Sequence, residues 1–290
     1  MNRLHRPARI QLGRKKRKPN RFNMTLCLAA LAQNYIVLVA DTMISVDYFE
    51  YDAAISKVAL LPSGAASLMA GDMSLHSELL NAIRFYVQPS EIEINAVPID
   101  TLANRYNELV NEIYYEKESA NLLHRQYGLT SETRLTAEIA PERAKEIAEK
   151  LNAIPPPRIS TLLVGFDERN RPHIYKYDRG QLTHENLNNW ATIGGGWELA
   201  DHRLFELGHS SGATLSDALF HCYDAKRYSE TTSGVGQTTR LFWMDETSFY
   251  APHPLCDLEA IYQKTKEEQK GLVSRTKIEW YETLKRNKDI

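Results

Sequence analysis

The sequence predicts an α+β fold, and three patterns predict it. Two hairpins come early, Leu26–Ala32 with Tyr35–Ala40 and Lys57–Leu61 with Ala65–Ala70, broken at Gln33-Asn34 and at Pro62-Ser63-Gly64. Stretches with one apolar stripe at helical spacing follow them. After residue 158 strand grammar returns, so strands and helices alternate in blocks rather than one by one.

The elements can be justified in order. Ser74–Val87 repeats apolar residues at Leu75, Leu79, Leu80, Ile83 and Tyr86, and Asp100–Tyr115 repeats the pattern. Pro141–Leu151 is strongly helical and stops before Pro155, Pro156 and Pro157. The region 116–157 reads as a surface insertion, largely helical. Ile159–Phe166 and Pro172–Tyr177 form a third hairpin around the turn Asp167–Arg171. Trp190–Gly196 leads into a helix over Glu198–Leu207, and Leu215–Tyr228 makes another. The segment from Ser233 to Asp245 and then Thr247–Pro252 supply a last pair of strands, while 257–290 is a charged helical tail. Thr42–Ala54, rich in aromatics and acids, reads as a loop.

The totals narrow the function classes. With 290 residues, 43% hydrophobic and 25% charged, the chain can bury a substantial core. No apolar run reaches the roughly 18–20 residues of a membrane helix, so a soluble protein is expected. The three cysteines, Cys27, Cys222 and Cys256, are odd in number and far apart. That argues against a disulfide scaffold and a metal site, and for a reducing, cytoplasmic setting. Residues 1–23 carry nine Lys or Arg and no acid, leaving 26 of the 35 basic residues to face all 37 acids. An acidic body gives no sign of nucleic-acid binding. The extension 1–24 lacks the apolar core of a secretory signal. It reads as a basic targeting or nucleic-acid arm, as a propeptide, or as an upstream start with Met24 the true initiator.

Four residues in the first hairpins stand at informative offsets: Thr25, Asp41 sixteen positions on, Lys57 thirty-two on and Gly71 forty-six on. This segment resembles the start of proteasome β subunits and of bacterial relatives such as HslV, which are N-terminal nucleophile hydrolases. Thr25, Asp41, Lys57 and Gly71 match that family's nucleophile, its Asp ending the second strand, its Lys opening the third and its Gly ending the fourth. The likeness covers roughly 24–115 and 158–252. It implies a four-layer αββα sandwich over 25–256 and cleavage of peptide bonds by Thr25. It also implies a homo-oligomeric ring, unfolded-protein substrates, an ATP-dependent unfoldase as partner, and no cofactor or metal.

The chemistry suits those residue types. A threonine hydroxyl is a weak nucleophile and needs a base. An α-amine titrates near about 7.7–8.0 and a lysine side chain near about 10.4, so the Thr25 amine is assigned the base and Lys57 an electrostatic role. Asp41 would hold Lys57, and the Gly71 N–H would face the oxyanion. The resemblance further implies a support for the amine, with Glu230 and Ser233 in the places of an Asp and a Ser. A third supporting Ser falls within Gly194–Gly196, where this chain has no hydroxyl. By the same register Ile55, Ala59, Met69 and Met73 line a specificity pocket, which implies cleavage after apolar residues. Two other readings remain: a hydrolase of small amides, and a catalytically silent subunit that keeps residues 1–23.

Overall fold

The computed structural model describes residues 25–46, 49–52, 56–61, 64–87, 97–129, 140–252 and 257–286, with backbone alone at 44–46, 49–52 and 273–286. The fold is mixed α+β, built on two antiparallel sheets. One sheet has five strands in the order β10-β1-β2-β11-β12, the other five in the order β5-β6-β7-β8-β9.

In the first sheet β1 (Leu26–Ala32) turns at Gln33, φ +48°, into β2 (Tyr35–Asp41), with Cys27 opposite Ala40. Beyond β2 the chain forms a small separate hairpin, β3 (Met43–Val46) with β4 (Phe49–Asp52). The expected loop over 42–54 is therefore partly strand. Its composition, acids and aromatics alternating, suits a two-stranded ribbon as well as a loop. In the second sheet β5 (Val58–Leu60) pairs with β6 (Ala66–Gly71), and β6 with β7 (Ile159–Phe166). The sheet continues through β8 (Pro172–Asp178) to β9 (Gln181–His184). Edge strand β10 (Trp190–Gly194) returns to β1, placing Leu26 opposite Gly194. On the other side β11 (Thr239–Met244) pairs with β2, Thr239 opposite Asp41, and ends at β12 (Phe249–Tyr250).

Strand alternation divides the apolar side chains into three clusters. Cys27, Ala29, Leu38 and Ala40 meet Leu68, Ala70, Leu162 and Val164 of the second sheet. The alternate residues Leu26, Leu28, Val37 and Val39 meet Ala200 and Leu204 of α5 (Trp197–Glu206), with Ala218 and Cys222 of α6 (Leu215–Ser229). The far face of the second sheet, Met69, Leu163 and Tyr177, packs on α1 (Met73–Val87) and α2 (Ile99–Val110) through Leu79, Ile83, Leu102 and Tyr106. Every residue of β1 is buried, because both its faces are covered. That explains why it reads as a nearly unbroken apolar run.

The expected insertion at 116 begins as a continuation of α2, not as a new element. A π-helical turn (Asn111–Tyr115) leads into α3 (Glu116–Leu122) and a second π turn (Leu123–Tyr127). This arm holds α4 (Pro141–Asn152) by hydrogen bonds from Tyr114 to the Pro155 carbonyl and from Tyr127 to Glu146. The tail helix α7 (Leu258–Arg286) docks its first turns on α6, where Tyr262 donates to Asp224 at 2.5 Å and Tyr223 to Glu259 at 3.0 Å. Among the described residues no helix is long and apolar enough to cross a membrane.

Candidate functional site

Thr25 precedes β1, and the register of β1 against β2, with Cys27 opposite Ala40, brings Asp41 to the same end of the hairpin. Lys57 stands one residue before β5 in the other sheet. Its ammonium reaches Thr25 Oγ1, Asp41 Oδ1 and the Met43 carbonyl, three acceptors for three N–H donors. The group is closed to solvent: Thr25 is 7% exposed, Asp41 0% and Lys57 4%. The second carboxylate oxygen of Asp41 accepts from the Gly236 N–H at 2.9 Å. Burial raises the Asp41 carboxyl above its ordinary range, and Lys57 and the Gly236 N–H oppose the rise.

The glycine-rich turn after β10 holds the backbone of Thr25. Gly195 N–H donates to the Thr25 carbonyl at 2.6 Å. Gly194 has φ +98°, and a Cβ there would lie 1.9 Å from that same carbonyl oxygen. A Cβ on Gly196 would press within 2.7 Å of Val235. At 194 and 196 backbone and packing occupy the space a side chain would need.

Gly71 ends β6 with φ +106°, where a Cβ would lie 2.2 Å from the Arg158 carbonyl oxygen. Only glycine fits that conformation and that approach. Ala59, Met69 and Met73 come together at the edge of the cluster beneath α1; Ile55 lies outside the described residues, as does the extension 1–24. Glu230 caps α6. One of its oxygens takes the Lys226 ammonium, the other Arg227 Nη1 at 2.6 Å. Ser233 is exposed in the turn that follows.

Competing nucleophiles near Thr25 are weak. Burial pushes the Cys27 thiol up to about 12, and its S–H is turned to the Met69 carbonyl. No group of metal-binding side chains occurs among the described residues.

The residues that the sequence left unmarked are Lys226 and Gly236. Lys226 sits four residues before Glu230 on a helix, a spacing that ordinarily marks a solvated ion pair. Nothing local in the sequence reveals that it is fully buried. No protein-family model matches the chain, and no curated protein matches it.

Proposed function

We propose that the chain is a threonine-type peptidase of the N-terminal nucleophile class. The observation that carries this reading is one lysine: Lys57 touches the hydroxyl oxygen of Thr25 and the carboxylate of Asp41 at once, inside a buried pocket. A cation on that oxygen favours its alkoxide, and the buried Asp41 fixes the cation. Two antiparallel sheets, with apolar clusters between them and against the helices, support reading the fold as a four-layer αββα sandwich.

The chemistry follows from these groups. Removal of residues 1–24 frees the Thr25 amine. That amine, directly or through a water, takes the hydroxyl proton as Oγ1 attacks the scissile carbonyl carbon. The Gly71 N–H stabilises the oxyanion. Collapse expels the leaving amine with the transferred proton and leaves an ester on Thr25. Water then attacks the ester, the Thr25 amine again taking its proton, and the acid product departs.

Ala59, Met69 and Met73 pack together in the apolar cluster beneath α1, which supports a preference for apolar residues before the cleaved bond. Buried free thiols at Cys27 and Cys222 support a reducing, cytoplasmic setting. Large apolar side chains left uncovered on the single chain, Phe85, Leu187 and Phe205, support burial in a homo-oligomeric ring, to which an ATP-dependent unfoldase would feed unfolded protein.

The test is covalent trapping. A peptide vinyl sulfone with an apolar residue at its reactive end should add one mass unit of reagent to Thr25, located by tandem mass spectrometry, and Thr25→Ala should take up none. Equal labelling of Thr25→Ala contradicts the peptidase reading. Absence of labelling with turnover of small amides points to the amidohydrolase, and absence of both to a silent subunit.

A further inference from the structure

Behind the Lys57 pair lies a second buried lysine that the proposed reaction does not use. Lys226, on α6, is 0% exposed. Its ammonium meets the Glu230 carboxylate, the Gly236 carbonyl at 2.7 Å and the Gln237 carbonyl at 2.8 Å, so all three donors are taken. Gly236 faces both ways. Its C=O is held by Lys226, while its N–H donates to Asp41. A Cβ on Gly236 would lie 2.8 Å from Met43 Cβ, so this loop also rests against the residue whose carbonyl receives Lys57.

We propose that Lys226 is a positioning residue: anchored by Glu230, it pins the 236–237 loop, and through the Gly236 N–H it sets the carboxylate of Asp41 and hence the Lys57–Thr25 contact. Two carbonyls pointing at one buried site need a cation, because unpaired they would each carry a desolvation cost. Burial pulls the Lys226 ammonium below the ordinary lysine range, and the carboxylates of Glu230 and Asp41 oppose that pull. The cation is paired with Glu230 and reaches Asp41 through the Gly236 peptide. Arg227, the remaining charge beside Glu230, takes that carboxylate's other oxygen and stays partly in solvent.

The kinetic part of this proposal rests on the peptidase reading; the structural part does not. The experiment combines hydrogen–deuterium exchange of the 233–240 peptide with steady-state kinetics on the mature chain, in Lys226→Met and Glu230→Gln. In Lys226→Met, exchange at Gly236 should rise about tenfold or more while β1 and β2 keep their protection. Turnover should fall about 10- to 100-fold with KM within about twofold, the mark of a displaced catalytic group rather than lost binding. Glu230→Gln should move both readouts the same way and less far, and it decides the matter alone if Lys226→Met does not fold. Unchanged Gly236 exchange, or loosening spread equally over the core strands, overturns the proposal. A wild-type chain that hydrolyses no peptide while Gly236 exchange still responds defeats the peptidase reading and leaves the brace standing.

Discussion

Asp41 has no solvent and one cation, and that sets what Lys57 is for. Removing the ammonium leaves a buried carboxylate beside the Gly236 N–H alone. Breaking a buried pair from one side ordinarily costs about 3–5 kcal/mol. Lys57→Met should therefore lose stability on that scale by urea denaturation, together with all measurable peptide hydrolysis. The double variant Lys57→Met/Asp41→Asn should recover most of the stability and none of the activity, since Asn still accepts from Gly236 and no cation faces Thr25. Recovered activity in the double variant would mean the pair is structural only. At this scale much of the site was legible. Thr25, Asp41 and Lys57 are spaced by strand geometry, and a hairpin fixes such spacings tightly. Lys226 was not, because its burial comes from a loop ten residues further along that folds back over it. Glu230 was legible as a carboxylate near the site but not as the partner of that lysine.

Between elements, the α5–α6 connection is tied to the β1–β2 hairpin through His209. Its Nε2–H donates to the Leu31 carbonyl at 3.0 Å, its Nδ1 faces His221 Nδ1 at 3.3 Å, and Gln33 N–H reaches the Ser211 carbonyl at 2.5 Å. Burial first, and then His221, lowers His209 to about 4, while Leu31 works in the opposite direction. A histidine lowered in the fold gives stability that is complete above its ordinary pKa, near about 6.5, and lost as pH falls toward the folded value. Melting temperature should therefore drop between about pH 6.5 and 4. His209→Gln, which keeps a donor for Leu31, should flatten that drop; an identical acid limb in the variant would exclude His209 as its source. Sequence periodicity found the helices here and the long strands. It passed over β9, β10 and the β3–β4 ribbon. Those strands are only four or five residues long, at edges or outside the main sheets, too short for alternation to register.

Over the whole molecule the site is a product of sheet packing. Thr25 and Asp41 belong to one sheet and Lys57 to the other, so the cation meets the hydroxyl only because Cys27, Leu38 and Ala40 close against Leu68, Ala70 and Leu162. That apolar layer was readable in the unbroken apolar runs of β1 and β2. Which sheet faced which was not, since a strand buried on both sides shows no polar face. Among the described residues the side chain on the Thr25 hydroxyl is Lys57, which Asp41 also holds, so the proposed reaction assigns the base to the freed amine. The most direct measurement compares peptide hydrolysis by two forms of the chain, one beginning at Thr25 and one in which Met24 still precedes it. The account predicts turnover by the first and a rate lower by about a thousandfold or more for the second, the cost of a missing base in a nucleophile–base pair. Equal rates from the two forms would contradict it.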